Sequence, residues 1–597
     1  MNENIIKLKS WLAVDDLDPA VRKELEDAYD AYEKDPSEDN LTAISDRFYR
    51  DLEFGTGGIR GIVGAGANRI NVHTIRKISQ GFANEIVKKD TEEPSVVISY
   101  DNRRGSDVFA FESACVFLAN GLRVYLFERL SPTPLLSFAV RELGCTAGVM
   151  VTASHNPKQY NGYKIYDSDG CQYLPEEATA VANAINSLDI WKGVKTVAGD
   201  YEGDLQTKIQ ALADGPAKFD IVPQTVEDKF IELVLAQRLS PDAFEDVHVV
   251  YTPLHGTGNI PVRKTLTKAG IGGLEIVKEQ EYPDPEFTNA PEPNPEKKVA
   301  LNLGIEKAKS LNAAGQHIDA LLATDPDADR VGVAVLQNGD YQILTGNEIG
   351  ILIFDYIVST RKKLGTMPGQ PVLVTTIVSS PMVSVIAQAE GVDVKKVLTG
   401  FKFIGEQITA LEKAGELERY VFGFEESCGY LSGTYARDKD AVNACLLISE
   451  MIGVYKKQGK TIVDRLEELY KTYGYYIDIT DELVRPGEKG MHEITAIMDS
   501  LRSPDAKYGF TTEIERFFDY RRGTVQIRGH QETTPITGIP VAEVLEFDLL
   551  DGTRVLARPS GTEPKLKIYY SALGKSPVEA TASLETLRQE VSKIANL

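Results

Sequence analysis

Cysteine is scarce in this chain and badly placed for covalent or metal chemistry. The 597 residues include five cysteines, Cys115, Cys145, Cys171, Cys428 and Cys445, widely spaced and without a Cys-x-x-Cys pair. That excludes a disulfide framework and a thiolate zinc site. The five read instead as buried apolar residues in a reducing cytoplasm. No stretch approaches the ~18 consecutive apolar residues that a membrane span needs. The start, Met1 to Lys7, is not a basic segment leading into an apolar core, so no secretory signal and no membrane partner are expected. Positive charge is in deficit: Lys and Arg number 65 against 88 Asp and Glu, a net charge of −23. This excludes broad electrostatic binding of nucleic acid. It also repels anionic ligands at long range, so a phosphate would need local clusters of Arg, Lys and backbone N–H groups.

What is present is ordinary globular composition, 42% hydrophobic and 26% charged. The length allows about three to five domains. Residues 1–48 read as a charged helical extension, with Val14 to Pro19 as a helix start. Short apolar runs then alternate with helical stretches. Val96–Tyr100, Arg123–Phe127 and Ala147–Thr152 read as buried parallel strands of a first α/β domain over 49–215. His248–Tyr251 and Ala320–Thr324 open a second over 216–344, and Val372–Thr376 and Tyr420–Phe424 a third over 345–461. The remainder, 462–597, reads as a smaller α+β domain with strands Arg554–Ala557 and Leu566–Tyr570 and a helix after Ser576. Asp284 to Pro295, rich in Pro and Glu, reads as a surface loop.

In parallel sheets ligands sit beyond the carboxyl ends of strands, and five unusual sequences fall there or nearby. Thr152-Ala153-Ser154-His155-Asn156-Pro157 follows a strand and can hold the Ser154 hydroxyl outward as a nucleophile. Such a hydroxyl needs a base or a preset charge environment, and adjacency does not make His155 that base. The alternative is a capped turn. Asp325-Pro326-Asp327-Ala328-Asp329-Arg330 presents three carboxylates together, which calls for a cation. The oxygen set suits Mg²⁺; a calcium EF-hand fails, because Arg330 and Leu336 stand where Gly and Glu are required. Gly423-Phe424-Glu425-Glu426-Ser427-Cys428-Gly429 offers groups that suit sugar hydroxyls, with Arg437 and Lys439 at loop distance for a phosphate. Arg558-Pro559-Ser560-Gly561-Thr562-Glu563-Pro564 combines an arginine fork with a nest of donors. It lacks the Gly-Lys-Ser/Thr ending of a Walker loop. Phe54 to Gly61 carries glycines but has Arg60 where a dinucleotide fingerprint needs its last glycine. Arg60 reads better as a cation beside a reacting phosphate. A hydroxyl nucleophile, a magnesium loop, a hydroxyl-reading loop and a phosphate pocket together describe phosphoryl transfer to and from a sugar.

In this order the motifs resemble those of the α-D-phosphohexomutase family, over nearly the whole chain from about residue 48. The resemblance implies three related α/β domains plus a C-terminal α+β domain around a central cleft. Thr152–Pro157 resembles the family's phosphoserine loop, Asp325–Arg330 its magnesium loop, Glu425-Glu426-Ser427 its sugar loop and Arg558–Glu563 its phosphate loop. Glu426 and the Phe54–Gly61 segment resemble the phosphoglucomutase branch related to phosphopentomutases, with phosphopentose and phosphomannose as rival substrates. The resemblance implies Mg²⁺ held by Ser154, Asp325, Asp327 and Asp329. It implies glucose 1,6-bisphosphate as intermediate and activator, small sugar phosphates as ligands, and a monomer or homodimer. Arg60, His155 and Lys164 are its candidates for proton handling and charge stabilisation. Glu425, Ser427, Lys402, Arg437, Arg330, Arg558, Ser560, Gly561 and Thr562 are its candidates for substrate binding. Two other readings stand beside it: a phosphatase of the haloacid-dehalogenase type with Asp325 as nucleophile, and a non-catalytic sugar-phosphate sensor.

Overall fold

A computed structural model describes residues 2–55, 58–89, 91–197, 203–215, 218–485, 487–503, 506, 509–560 and 565–595. The chain forms two compact bodies. One comprises Met1–Ile343 with Ile408–Ala410 and Gly429–Gly453; the other comprises Leu344–Gln407, Leu411–Cys428 and Val454–Leu597.

The first body begins with helices Glu3–Leu12, Pro19–Lys34 and Glu38–Phe48. The acid-and-proline start works as the sequence suggests: Asp18 Oδ1 accepts the N–H groups of Ala20 and Val21, and Pro19 opens the helix where no N–H is required. These helices close over Leu8, Trp11, Leu25, Ile44 and Phe48. The first sheet runs in the order Ile59–Ile62, Tyr160–Tyr166, Ala147–Val151, Ser95–Tyr100, Arg123–Leu126, Phe219–Ile221. Its centre is parallel. Tyr160–Tyr166 runs antiparallel to Ala147–Val151 and carries Ile59–Ile62 outside it, a reversal that the apolar runs do not reveal. In the second sheet His248–Thr252 lies parallel to Gly273–Ile276 and Ala320–Thr324, and Val331–Gln337 returns antiparallel after the acidic loop.

The second body contains parallel strands Asp393–Val397, Val372–Thr376 and Tyr420–Glu425. Helix Gly346–Leu364 starts at a capping box between Thr345 and Glu348 and stops at Gly365 in the left-handed region. The C-terminal part is an antiparallel sheet in the order Tyr475–Val484, Lys565–Gly574, Arg554–Pro559, Leu545–Leu549, Ile514–Asp519, Thr524–Ile527, Thr534–Pro535. Helices Gly487–Arg502 and Pro577–Ile594 pack on it over Leu501, Phe547, Ile568, Ala572 and Leu587. All five cysteines are buried and stand outside any disulfide. Among the described residues no helix is long and apolar enough to cross a membrane.

Candidate active site

Two neighbouring parallel strands of the first sheet end side by side, and their loops lock together. After Ser95–Tyr100, the buried Asp101 carboxylate accepts the hydroxyls of Thr152 at 2.6 Å and Ser106 at 2.7 Å and the N–H of Arg103 at 2.9 Å. Thr152, at the end of Ala147–Val151, passes the constraint on by accepting the N–H of Ser154 at 2.8 Å. Arg103 is 2% exposed and pairs with Asp101 at 3.3 Å. Its guanidinium donates to the carbonyls of Ser154 at 2.6 Å, Pro157 at 3.0 Å and Tyr160 at 2.9 Å, and also to Asn156. Four carbonyls converging on one fork hold a tight loop in which Ser154 takes φ +53°, a conformation uncommon outside glycine. Neither Asp101 nor Arg103 carries a motif signal; only their place at a strand end marks them.

The Ser154 hydroxyl donates to Asp325 Oδ2 at 2.9 Å. Asp325 follows strand Ala320–Thr324, and its other oxygen accepts the N–H groups of Asp329 at 3.1 Å and Arg330 at 3.0 Å, closing the acidic loop upon itself. Ala328 at φ +51° makes the turn. Oxygens of Asp325, Asp327 and Asp329 all lie within 4.8 Å of one another, and the three residues are at most 1% exposed. Burial, followed by the charges of Asp327 and Asp329, holds the Asp325 carboxyl well above the usual carboxylate range. For Asp327 and Asp329 burial acts in the same sense, but Lys164 and Lys439 outweigh it and hold both carboxyls low.

Lys164, on strand Tyr160–Tyr166, reaches Asp327 at 2.7 Å and Asp329 at 3.4 Å. Lys439 lies 3.1 Å from Asp329 and 3.3 Å from Asp438, whose second oxygen accepts Tyr166 and Gln172, each at 2.9 Å. Thr133, first residue of helix Thr133–Glu142, donates its N–H to Asp327 O at 3.0 Å and its hydroxyl to Asp327 Oδ2 at 2.9 Å. The set fits a magnesium ion. It offers three clustered hard oxygens, and Asp327 Oδ1 and Asp329 Oδ1 are buried without a hydrogen-bond partner among the described residues.

Around this centre, Arg60 is exposed on strand Ile59–Ile62 and donates to Asn156 Oδ1 at 2.9 Å. Burial, then Arg330 and Arg60, push the His155 imidazole well below its ordinary value, so it is held neutral. Arg330 pairs with Glu296 and stands 3.8 Å from Asp329. Arg437 departs from expectation. It is 0% exposed, and its guanidinium donates to Thr409 Oγ1, Thr434 O and Ala436 O. It braces the turn from inside the core rather than facing a phosphate, and the next basic residue, Lys439, takes the place beside the carboxylates.

In the second body, Glu425 ends strand Tyr420–Glu425 at 4% exposure and accepts the Ser427 hydroxyl at 2.8 Å. Glu426 accepts Thr376 Oγ1 at 3.2 Å from the neighbouring strand end. Lys402 lies in the first turn of helix Phe401–Lys413, after Gly400 at φ +120°. Arg558, near the end of Arg554–Pro559, is close enough to Tyr569 on the adjacent strand to oppose the rise of its pKa. Burial and then Glu426 raise the Tyr569 hydroxyl's pKa, and Glu425 adds to the effect. Tyr569, which no motif signals, thus feels charge from both the expected sugar loop and the expected phosphate loop. Ser560 N–H donates to Lys565 O at 2.7 Å. Gly561, Thr562, Glu563 and Pro564 lie outside the described residues, as do Thr56 and Gly57 of the glycine-rich segment.

A serine hydroxyl turned onto a buried carboxylate cluster, in a chain of three α/β domains and a C-terminal α+β domain, has the form of a phosphoryl-transfer protein. Models of phosphoglucomutase/phosphomannomutase alpha/beta/alpha domains I, II and III match residues 51–190, 228–339 and 345–473, and the C-terminal domain model matches 512–588. The chain belongs to the phosphoglucomutase/phosphomannomutase family. It is 35% identical over 528 residues to a phosphoglucomutase of Staphylococcus haemolyticus, covering 88% of this chain and 91% of that one. A phosphoglucomutase of Staphylococcus aureus is 35% identical over 525 residues, covering 88% and 90%. The fold matches a putative phosphomannomutase of Thermus thermophilus at 22% identity and TM-score 0.64, covering 91% and 99%. It also matches the open form of parafusin, a phosphoglucomutase of Paramecium, at 16% identity and TM-score 0.65, covering 92% and 96%.

Proposed function

We propose that the protein interconverts glucose 1-phosphate and glucose 6-phosphate, with Ser154 as the phosphate carrier. The observation that carries this reading is the Ser154 hydroxyl bonded to Asp325 in a cluster of three buried carboxylates. A phosphoryl group on that oxygen would stand beside a site suited to Mg²⁺. The relatives named phosphoglucomutase support the substrate, as does the Glu425-Glu426-Ser427 form of the sugar loop.

In this reading Asp325, Asp327 and Asp329 hold Mg²⁺, which when bound supplies positive charge to the phosphoryl oxygens. Phospho-Ser154 gives its phosphoryl group to the 6-hydroxyl of glucose 1-phosphate. The P–O bond to serine breaks as the bond to the sugar forms, and a base takes the hydroxyl proton. The product, glucose 1,6-bisphosphate, turns over and returns its 1-phosphoryl group to the Ser154 hydroxyl; the P–O bond to the sugar O1 breaks, O1 takes up a proton as serine gives one up, and glucose 6-phosphate leaves. Arg60, His155 and Lys164 are the candidates for proton handling and charge stabilisation: His155 is held neutral, whereas Lys164, despite its burial, is kept charged by Asp327 and Asp329 and, with Arg60 and Arg330, stabilises charge. Glu425 and Ser427 hold ring hydroxyls, while Lys402, Arg558, Ser560, Gly561 and Thr562 hold the distal phosphate. We assign the domains as residues 49–215, 216–344, 345–461 and 462–597 after the helical extension, and the protein to the cytoplasm as a monomer or homodimer.

A coupled assay on glucose 1-phosphate, with Mg²⁺ and trace glucose 1,6-bisphosphate, tests the reading against ribose and mannose phosphates. The account expects glucose 1-phosphate to turn over fastest. Faster turnover of a pentose or mannose phosphate would transfer the substrate assignment, and no turnover at all would remove the activity.

A further inference from the structure

The segment Tyr282–Thr288 overlaps the Asp284–Pro295 stretch that reads as a surface loop, and in the structure it is a strap between the serine loop and the acidic loop. Asp284 makes the turn by accepting the N–H groups of Glu286 at 2.9 Å and Thr288 at 2.8 Å on its own carboxylate. The turn puts Phe287 at φ +49° with its ring 0% exposed. A bulky side chain takes that conformation only where the surroundings impose it.

The ring belongs to the buried cluster of Val250, Leu254, Val277 and Ala290, and two further contacts tie it to the loops. The Arg103 guanidinium lies 5.2 Å from the ring centroid. That guanidinium is the fork that gathers the carbonyls of Ser154, Asn156, Pro157 and Tyr160. The His255 ring also meets Phe287 edge-on, with centroids 6.3 Å apart. His255 is itself strained at φ +67°, follows Leu254 at φ +48°, and bonds Tyr282 O through Nδ1 at 2.7 Å. The next residue, Gly256, is packed so closely on the acidic loop that a Cβ would stand 2.5 Å from Pro326 Cα. Thr257 N–H donates to Pro326 O at 2.9 Å. The strap's outer edge is held by the loop after Ser95–Tyr100 and by Lys158 just past the serine loop: Asn102 donates to Asp284 O at 3.1 Å, and Glu286 pairs with Arg104 and, at 3.0 Å, with Lys158.

We propose that Phe287 is a positioning residue that sets the Ser154 loop against the Asp325–Asp329 loop by packing against Arg103 and His255. It touches no reacting atom. The kinetic consequence rests on the phosphoserine reading above, whereas the structural one does not. Group transfer is sensitive to such placement, because a misalignment of ~1 Å can cost about a hundredfold in rate.

The test compares Phe287→Leu with Phe244→Leu, the same change at another buried phenylalanine (1% exposed) of the first body. Hydrogen exchange is followed in peptides covering 151–160 and 324–331, together with kcat and KM for glucose 1-phosphate. Phe287→Leu is expected to speed exchange in both peptides about tenfold and to lower kcat about tenfold, with KM within about twofold. Phe244→Leu is expected to leave both loops at wild-type exchange rates. Unchanged loop exchange in Phe287→Leu, or an equal rise in Phe244→Leu, overturns the proposal. A wild-type protein without turnover, in which Phe287→Leu still frees both loops, upholds the strap and removes the reaction instead.

Discussion

Ser154 donates its hydroxyl to Asp325, a residue 171 positions away in the chain, at 2.9 Å. The two stand at the ends of strands in different sheets, each on a loop whose backbone is folded back on itself by buried hydrogen bonds. The nucleophile candidate is thus presented to the carboxylates by architecture, with no sequence neighbour such as His155 needed as its hydrogen-bond partner.

Thr133 grips Asp327 by both backbone and side chain. Outer-shell partners of this kind typically change metal affinity by about 10–100-fold when lost. Thr133→Val should weaken Mg²⁺ or Mn²⁺ binding by about tenfold in isothermal titration, and Thr133→Ser should retain it. Equal affinity in all three proteins would mean that the Thr133 bond does not orient the carboxylate.

Removing Arg103 takes one donor from each of four carbonyls and leaves Asp101 without its buried cation. Arg103→Met should lower stability by about 3–5 kcal/mol in urea unfolding, the usual cost of breaking a buried pair from one side. The double variant with Asp101→Asn should lose less than the sum of the two single changes, because the pair acts as a unit. Simple additivity would show that the two residues do not cooperate.

Both tryptophans of the chain report on one cluster. Trp11 and Trp191 lie 5.0 Å apart, and the buried His73 ring lies 5.0 Å from Trp191 and 6.2 Å from Trp11. His73 Nε2 accepts the N–H of Asp18, the cap of helix Pro19–Lys34, at 3.1 Å. Burial, then Arg76, lower the His73 pKa to about 4, against the opposing pull of Asp18 and Asp16. Between the unfolded value of ~6.5 and about 4 the unfolded chain binds the extra proton, so stability falls as pH drops through that window and levels off below it. The total is about 3 kcal/mol. Tryptophan fluorescence during urea unfolding should show this loss between pH 7 and pH 4, and His73→Gln should flatten it. A wild-type curve independent of pH over that window would contradict the assignment.

Much of this was legible in the chain because it rests on local signals. Apolar runs mark the parallel strands, and Ser154, Asp325, Asp327 and Asp329 follow such runs directly. The strand Tyr160–Tyr166 is harder: its pairing is antiparallel to Ala147–Val151, and direction is a tertiary property with no local mark. Arg103 and Thr133 are hidden for a similar reason. Each acts through bonds to loops far along the chain, and an arginine after a strand looks the same whether it meets solvent or four carbonyls. Arg437 and Lys439 show the limit from the other side. Two residues apart, both cationic, they divide between core brace and active-site neighbour according to which way the buried turn faces.

The most direct measurement is the location of phosphate on the protein itself. Protein quenched in acid and digested should carry one acid-stable phosphoryl group on the peptide containing Ser154. That group should pass to the sugar when glucose 1-phosphate is added before the quench. Ser154→Ala should lose both the label and turnover while still binding the sugar phosphate. An acid-labile phosphate on Asp325, or an unlabelled Ser154 peptide in a protein that turns over, would contradict the account.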